Sequence, residues 1–461
     1  MIKIFSHYLP RQTLMQLFFD LSLVVAIVFG AIVWHARDAA STGLSVAVTS
    51  SVLLAIGMLA INSGLGFYQR VHNRTVGQSR ARAVLSLFMT LGLGLGIFTL
   101  MPLPLEDRKA FALVVAGCLF VVLAHRVYVA HSTKQSMARQ RILVFGTGTR
   151  AKLVGRSLKK ADPNVDLVGY FAGPNEVTTE VSAWGVLTPD KSLTDIVVEQ
   201  KVDEIVIALT ERRGGSMPLR ELLDCKLHGV RVVDVATHFE KTLGQIRLDS
   251  VNPGWLIFGD GFNQGWVRTV VKRLFDVVFS LVLLLVSLPV MLLTGILILL
   301  ESGGPMLYTQ ERVGLNGRLF NVVKFRSMRT DAEKDGKPRW AQAGDDRITR
   351  VGRIIRKLRI DELPQLFNVL AGDMSLVGPR PERPYFVDTL TQEIPYYAVR
   401  LSVKPGLTGW AQVRYHYGAT MEDSAEKLQY DLYYVKNHTW FLDLVVLFET
   451  VGVVLTGKGA Q

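Results

Sequence analysis

Two adjacent acidic residues, Asp361 and Glu362, follow a strongly basic segment of the chain. Between Lys324 and Arg359 there are twelve Lys or Arg residues and five Asp or Glu residues. Fixed positive charges bind the anionic groups of a phosphate substrate, and a neighbouring carboxylate can act as a nucleophile. A second interpretation is that Asp361 only caps the helix expected at residues 364–370, as Asp often does. These residues alone leave both interpretations open.

The composition indicates a membrane-associated protein with an anionic partner. The chain has 461 residues, enough for two or three domains, and 49% of them are hydrophobic. The net charge of +12 indicates a membrane surface, a nucleic acid or a phosphorylated substrate as partner. Because we find no nucleic-acid-binding motif, we expect no nucleic acid. Cys118 and Cys225 form neither a disulfide framework nor a zinc motif, which indicates that the soluble parts are cytoplasmic.

Four apolar segments open the chain, and each approaches the ~20 residues that a membrane-spanning helix needs. They cover residues 14–34, 44–67, 83–101 and 110–130. Basic residues crowd the connection between the second and third segments and the stretch after the fourth. The positive-inside rule therefore places both ends of this block in the cytoplasm. We predict a four-helix transmembrane domain at residues 1–135.

An alternation of strands and helices follows, which predicts a parallel, Rossmann-like α/β cytoplasmic domain at residues 136–245. Strands are expected at 141–145, 165–171, 204–209 and 230–235, with a helix at 151–160. Gly146, Gly148 and Ala151 match the dinucleotide fingerprint loosely, with Asp166 as the candidate acid for a ribose. We favour a tight turn without a ligand here. No tyrosine of this chain has a lysine four residues later, as a short-chain dehydrogenase-type enzyme would need.

A fifth apolar segment covers residues 271–300, after a linker at 246–267 that is rich in Gly, Asn, Pro and Trp. If this segment spans the membrane, the basic region after it faces away from the cytoplasm, where soluble phosphorylated substrates are found. A re-entrant helix that bends near Pro289 and returns to the same face resolves this conflict, because proline kinks helices. Ser287 is the candidate partner for the backbone groups that the proline frees. An ordinary kinked spanning helix is the alternative.

Five long motifs follow one another in the C-terminal part of the chain: KRLFDVVFSLVLLLVSLP (272–289), YTQERVGLNGRLFNVVKFRSM (308–328), RIDELPQLFNVLAGDMSLVGPRPE (359–382), KPGLTGWAQV (404–413) and YDLYYVKNHTWFLDL (430–444). In this order they resemble the bacterial sugar transferases known as monotopic phosphoglycosyl transferases. One departure is that Leu288 separates Ser287 from Pro289, whereas the family commonly has Ser directly before this proline. The N-terminal part resembles long-form members of the undecaprenyl-phosphate glucose/galactose phosphotransferase type, which prime exopolysaccharide or O-antigen synthesis.

The resemblance implies transfer of a sugar-1-phosphate from a UDP-sugar, with UDP-glucose expected, to undecaprenyl phosphate with release of UMP. It implies that Asp361 is the nucleophile of a covalent aspartyl-phosphosugar intermediate, and that Glu362 assists proton handling or orientation. Mg²⁺ is expected as the cofactor, with Asp361 as a metal ligand. The expected phosphate-binding residues are Arg380, Lys324 and Arg326. Those of the re-entrant helix are Lys272, Arg273, Ser287 and Pro289, with Lys272 and Arg273 anchoring it at lipid headgroups.

The expected architecture is therefore a membrane α-helical bundle, a Rossmann-like domain, and a phosphoglycosyl transferase domain at residues 268–461. The last consists of the re-entrant membrane helix and a small α/β monotopic catalytic domain. We expect a multi-pass homodimer in the bacterial inner membrane, in contact with membrane lipid and with its catalytic domain on the cytoplasmic face. Two other functions explain less of the sequence. A membrane-tethered NAD-dependent dehydratase or epimerase leaves the C-terminal motifs unexplained, and a non-catalytic scaffold leaves the acidic pair unexplained.

Overall fold

The structure is a computed structural model of the 461-residue chain. It describes residues 2–4, 7–9, 18–23, 25–26, 29, 42–64, 76–100, 120, 140–161, 165–174, 176, 180–182, 185–187, 191–209, 217–249, 261–262, 265–330, 347–415, 418 and 420–456. The chain divides into two compact units. The first unit comprises Met1–Gln69, Arg80–Val121 and Ile257–Gln461, and the second comprises Arg70–Ser79 and Val122–Leu256.

The N-terminal region contains a short antiparallel hairpin and two apolar helices. These elements are β1 (Ile2–Ile4), β2 (His7–Leu9), α1 (Thr42–Gly64) and α2 (Val76–Leu100). The two helices coincide with the second and third predicted membrane segments, and Ser86 of α2 donates a 2.5 Å hydrogen bond to Asn62 of α1. The first predicted segment is described only in part, and the fourth, apart from Phe120, lies outside the described residues. Four spanning helices thus stay a prediction.

The second unit is built around a four-stranded parallel sheet with the strand order β4-β3-β5-β6. Its strands are β3 (Gln140–Phe145), β4 (Val165–Phe171), β5 (Glu204–Ile207) and β6 (Arg231–Asp234), and its helices are α3 (Thr149–Ala161), α4 (Leu193–Glu199), α5 (Leu219–Leu227) and α6 (Val235–Leu243). The predicted strands and the first helix are confirmed, with ends that shift by one or two residues.

The sheet of this unit is buried on both faces, which explains why its strands are continuous apolar runs. Side chains alternate along β3: Leu143 and Phe145 pack into one apolar cluster with helices α4 and α5. Ile142 and Val144 pack into another cluster with helices α3 and α6. A helix layer on each face of a parallel sheet is the architecture that the sequence predicts.

The glycine loop after β3 differs from a dinucleotide-binding loop in two respects. The parallel register pairs Asp166 with Arg141 at the amino ends of β4 and β3, whereas Gly146 follows the carboxyl end of β3. Asp166 therefore lies at the end of the strands opposite to the glycine loop, and its assignment as a ribose-binding acid is wrong. The carboxylate of Glu176 accepts hydrogen bonds from the backbone N–H groups of Thr147 and Gly148, at 2.7 and 3.0 Å. An internal carboxylate thus occupies the loop.

The C-terminal part of the first unit is a compact α/β assembly on a long helix. In chain order its elements are α7 (Trp266–Ser302), β7 (Leu307–Val313), β8 (Leu319–Phe325), α8 (Arg350–Lys357), a 3₁₀ turn (Ile360–Glu362), α9 (Gln365–Ala371), β9 (Ser375–Val377), α10 (Pro384–Glu393), β10 (Gly406–Thr408), α11 (Trp410–Arg414), α12 (Met421–Asn437) and α13 (Trp440–Thr456). β7 and β8 form an antiparallel hairpin, and β9 pairs in parallel with β10.

Helix α7 runs for 37 residues with Pro289 in its interior, and its middle exposes many Leu, Val and Ile side chains. Among the helices that the structure describes, it is the one long and apolar enough to cross a membrane, judged by length and composition. A proline leaves the carbonyl four residues earlier without its helical partner, here that of Leu285. The Ser287 hydroxyl instead lies 3.4 Å from the carbonyl oxygen of Leu284. A re-entrant path through the bilayer stays a prediction.

Both ends of α7 are attached to the same α/β assembly through the ends of other helices. Near its start, Arg273 donates to the carbonyls of Val369 and Leu370 at 2.6 and 2.7 Å, which are in the last turn of α9. Near its end, the Glu301 carboxylate accepts the backbone N–H groups of Arg350 and Val351 at the start of α8. A cation at a helix C-terminus and an anion at a helix N-terminus are both favourable, because they satisfy free backbone groups and oppose the helix dipole.

Candidate active site

The acidic pair lies on a short 3₁₀ turn between α8 and α9, and both of its side chains are buried. Helix α8 ends at Lys357, Leu358 caps it, and Arg359 then adopts a left-handed conformation with φ of 58°. That conformation is uncommon for residues other than glycine, and it turns the chain sharply. The turn places the Arg359 guanidinium beside Glu362, with 3.5 Å between its NH1 atom and Oε1.

Three cations converge on a single oxygen of Glu362. In addition to Arg359, Oε1 accepts a 3.0 Å hydrogen bond from NH2 of Arg380 and lies 3.4 Å from Nζ of Lys324. Burial alone would raise the pKa of Glu362, but the three cations, Arg380 above all, hold that pKa well below its usual range. Glu362 is therefore ionised, and its charge is used to hold the cations together.

Asp361 has a different environment from its neighbour. Its Oδ1 atom is buried and accepts no hydrogen bond from the residues that the structure describes. Burial, and then the negative charge of Glu362, raise the pKa of Asp361 to about 6. A desolvated carboxylate that lacks hydrogen bonds is a stronger nucleophile than one that is fully solvated or paired. Two adjacent acids with pKa values displaced in opposite directions are typical of a catalytic site.

The site retains positive charge, because three cations face two carboxylates. Lys324 comes from the end of β8, and burial lowers the pKa of its ammonium group against the attraction of Glu362. Arg380 lies on the turn after β9. These two residues and Arg359 thus bring cations from three separate segments to one carboxylate. A phosphate group that enters the site meets donors of the kind that bind phosphate oxygens.

The structure places the guanidinium of Arg326 at the end of α7, and its expected phosphate-binding role stays a prediction. The NH2 group of Arg326 donates to the carbonyls of Ser302 and Gly303 at 3.1 and 2.6 Å, and it lies 2.7 Å from Oγ of Ser302. Its guanidinium therefore holds the C-terminal end of α7, where carbonyl groups lack helical partners. β8 ends at Phe325, so Arg326 lies beyond the strand, and its side chain bonds to a different part of the fold from that of Lys324. Of these two cations, the structure brings Lys324 to the acidic pair, whereas Arg326 bonds to the end of α7.

Lys272 and Arg273 bond to protein groups on other elements of the assembly. Arg273 holds the last turn of α9, as described above. Nζ of Lys272 lies 2.7 Å from Oδ2 of Asp443 and 3.2 Å from Oδ1 of Asp276. It also donates to the carbonyl of Val377 at 3.2 Å. Both residues thus attach α7 to the catalytic assembly, and their expected anchoring at lipid headgroups stays a prediction.

Four buried residues near the site were missed at the sequence level: Arg400, Asp431, Tyr434 and Asp443. Their partners are distant in sequence, so spacing gave no indication of them. One signal was available, since a charged residue inside an apolar run is either buried with a partner or functional. Arg400 in AVRLSV and Asp443 in WFLDLVV both have this pattern.

The acidic pair fits a divalent cation that is bound partly by substrate. Within the described ranges there is no group of three or more His, Cys, Asp or Glu residues that forms a complete metal site. Mg²⁺, however, is usually held by one or two carboxylates together with substrate phosphates and water. The unpartnered Oδ1 atom of Asp361 is the available protein ligand, whereas Glu362 is already engaged by cations.

Comparisons with known proteins agree with the sequence motifs. The bacterial sugar transferase family model matches residues 267–457. A UDP-glucose:undecaprenyl-phosphate glucose-1-phosphate transferase of Caulobacter vibrioides is 46% identical over 193 residues, which are 41% of this chain and 71% of that protein. The chain belongs to the bacterial sugar transferase family. The expected resemblance is thereby confirmed, and the sites described above lie inside the matched region.

Two further relatives extend the comparison. A UDP-N-acetylgalactosamine-undecaprenyl-phosphate N-acetylgalactosaminephosphotransferase of Aeromonas hydrophila is 43% identical over 242 residues, 52% of this chain and 56% of that protein. This sugar transferase thus spans little more than half the length of that relative. A UDP-glucose:undecaprenyl-phosphate glucose-1-phosphate transferase of Xanthomonas campestris pv. campestris is 29% identical over 491 residues, 99% of this chain and 96% of that protein. The relatives are named for different sugars.

Proposed function

We propose that this sugar transferase moves a sugar-1-phosphate from a UDP-sugar to undecaprenyl phosphate and releases UMP, as the priming step of exopolysaccharide or O-antigen-type synthesis. The observation that carries the proposal is the buried, unpartnered Oδ1 atom of Asp361 beside a carboxylate that gathers three cations. UDP-glucose is the expected donor. UDP-N-acetylgalactosamine is the first alternative, because the Aeromonas relative is named for it.

The proposed reaction has two displacements at one phosphorus atom. The ionised Asp361 carboxylate attacks the sugar-linked phosphorus of the UDP-sugar, an aspartyl-phosphosugar bond forms, and the bond to UMP breaks. An oxygen of undecaprenyl phosphate then attacks the same phosphorus and releases Asp361 as a carboxylate. Arg380 and Lys324 bind the phosphate oxygens whose charge grows in each displacement.

Glu362 serves orientation rather than proton transfer in this proposal. A proton donor needs a pKa near the working pH, and the cations hold the pKa of Glu362 far below it. The carboxylate keeps Lys324 and Arg380 in place before the substrate arrives. When Mg²⁺ is bound, with Asp361 as the proposed protein ligand, it supplies positive charge that neutralises the diphosphate of the donor.

We propose further that α7 is re-entrant and that the catalytic assembly faces the cytoplasm of a bacterial inner membrane, within a multi-pass homodimer. A 37-residue helix is about 55 Å long, well beyond the ~30 Å of a bilayer core. The attachment of both of its ends to one assembly supports a return to the same membrane face, because a spanning helix separates its ends by the whole bilayer. The homodimer rests on the resemblance to long-form members alone.

The deciding experiment is UMP release by the purified protein. UDP-glucose, UDP-galactose and UDP-N-acetylgalactosamine are supplied in turn with undecaprenyl phosphate and Mg²⁺, and the nucleotide product is separated by chromatography. We expect UMP with one donor: continuous release when the lipid phosphate is present, and only a single-turnover amount without it, because the covalent intermediate then accumulates. Release of UDP would indicate transfer of the sugar without its phosphate and would overturn the proposal, as would no product from any donor. Omission of Mg²⁺ tests the cofactor in the same assay.

A further inference from the structure

A buried arginine holds the main chain of Arg380. NH2 of Arg400 donates to the carbonyl of Arg380 at 2.9 Å, and Nε of Arg400 donates to Oδ2 of Asp431 at 2.9 Å. The third guanidinium nitrogen, NH1, lies 3.2 Å from the hydroxyl of Tyr397. Arg400 and Asp431 are 6% and 2% exposed, so their charges are paired inside the protein. Arg400 therefore bonds, from the interior, to the residue whose side chain bonds to Glu362.

The other end of the same turn is held in a similar way. The Tyr434 hydroxyl lies 2.8 Å from the carbonyl oxygen of Val377, which Lys272 also contacts. Between the two ends, the backbone N–H of Gly378 donates to the carbonyl of Thr408 in β10. A Cβ atom at Gly378 would collide with the carbonyl oxygen of Lys404, so this close crossing of two chains requires glycine.

We propose that Arg400 is a positioning residue for the transfer reaction, acting through the main chain of Arg380, and that Tyr434 has the same role at Val377. The proposal rests on the function proposed above. Phosphate-binding groups have to be held within about 0.5 Å of their working geometry, and this needs support behind the residues that touch substrate. Buried ion pairs contribute little net stability, so stability alone is weak grounds for the presence of the Arg400–Asp431 pair.

Arg400→Lys is the informative variant, because it keeps the positive charge opposite Asp431 but loses the planar fork that reaches Arg380. We expect kcat/KM for the UDP-sugar to fall by about 10²-fold, the size expected for a misplacement near 1 Å. The matched control is Tyr397→Phe, which removes a bond to Arg400 while leaving the bond to Arg380 intact. It is expected to retain wild-type kcat/KM, even where its melting temperature falls.

A double-mutant cycle separates positioning from general structural damage. If Arg400 acts through Arg380, then Arg400→Lys has no further effect on kcat/KM once Arg380→Ala is present. If the two losses multiply in a folded protein, the positioning role is overturned. Should Arg400→Lys fail to fold, Tyr434→Phe serves in the same cycle, with a smaller loss that Arg380→Ala again abolishes. Absence of UMP release by the wild type would refute the proposed function itself, which keeps the two failures distinct.

Discussion

Glu362 and Arg380 are joined by a 3.0 Å hydrogen bond between Oε1 and NH2, although eighteen residues of chain separate them. The bond links the 3₁₀ turn after α8 to the turn after β9. Because of this bond, the two acids of the pair have different environments and different expected roles. Glu362 is committed to cations, and Asp361 is left as the carboxylate with an unoccupied oxygen.

Removal of the Asp361 carboxylate is expected to abolish transfer. Asp361→Asn keeps the shape of the side chain but cannot form the acyl phosphate, so UMP release should fall by at least about 10³-fold. Glu362→Gln only loosens the cations and should cost about 10²-fold. UMP release by purified variants measures both. Equal losses from the two substitutions would contradict the assignment of Asp361 as the nucleophile.

The activity is expected to rise with pH through about 6 and to level off above it. A nucleophilic carboxylate has to be ionised, and the pKa of Asp361 is raised to about 6, chiefly by burial. Glu362→Gln removes the neighbouring negative charge, which lowers the pKa of Asp361. The rise of kcat/KM with pH should therefore occur at lower pH in this variant. The pH dependence of kcat/KM for both proteins provides the measurement. If kcat/KM rises at the same pH in the wild type and in the variant, a group other than Asp361 controls the rise.

The same ionisation should lower the stability of the folded protein at neutral pH. The pKa of Asp361 is raised from 3.8 to about 6 on folding, so the folded state binds this proton more tightly than the unfolded state does. The resulting penalty is fully present above about pH 6 and disappears below the unfolded value, with an upper bound of about 3 kcal/mol. Asp361→Asn should therefore raise the melting temperature at pH 7.5, and the gain should shrink towards pH 4. A melting temperature that is unchanged at pH 7.5 would count against a desolvated Asp361.

Arg326 is expected to act on helix α7 and not on substrate. Arg326→Gln loses charged hydrogen bonds to Ser302 and Gly303, which should destabilise the protein by about 2 kcal/mol while leaving the KM for the UDP-sugar unchanged. Lys324→Met is the matched contrast, because Lys324 lies only two residues earlier, at the end of β8, and contacts Glu362 of the acidic pair. It should raise KM or lower kcat. A raised KM in a folded Arg326→Gln variant would restore the phosphate-binding role.

Accessibility labelling tests the path of α7. In a Cys118→Ser, Cys225→Ala background, single cysteines replace Thr269 in the first turn of the helix and Glu393 well after its end, and both positions are exposed. A membrane-impermeant maleimide should label neither in intact spheroplasts and both after permeabilisation. Ser41→Cys, in a connection expected to face the periplasm, is the positive control. Labelling of position 393 alone from outside would indicate a spanning helix.

Much of the fold was accessible from the sequence because it depends on local patterns. Residues 142–145 of β3 form a continuous apolar run, and such runs between helical stretches predict a parallel sheet covered on both faces. The apolar length of α7 was equally evident, and so were the many basic residues that precede the acidic pair in sequence. Each of these features is decided by neighbours within a few residues.

The remainder depends on contacts between residues far apart in the chain. Nothing near Arg326 in sequence shows that it bonds to Ser302, and nothing near Lys272 shows that it bonds to Asp443. Composition marks these residues as cations and suggests anionic partners outside the protein. The fold instead supplies carbonyls and carboxylates from inside. The assignment of Asp166 as a ribose-binding acid was wrong for a related reason. Its distance along the chain from Gly146 suits that role, but the strand register places it at the amino ends of the strands, away from the loop.

The carboxylate of Glu176 at the glycine loop has a thermodynamic consequence for the Rossmann-like unit. A protein that binds nucleotide in such a loop becomes more stable as the nucleotide concentration rises, by RT ln(1 + [L]/Kd). Here the loop N–H groups donate instead to the carboxylate of Glu176, a residue of the same chain. As long as Glu176 holds these N–H groups, a nucleotide phosphate cannot bind to them, and the stability of this unit is then independent of nucleotide concentration.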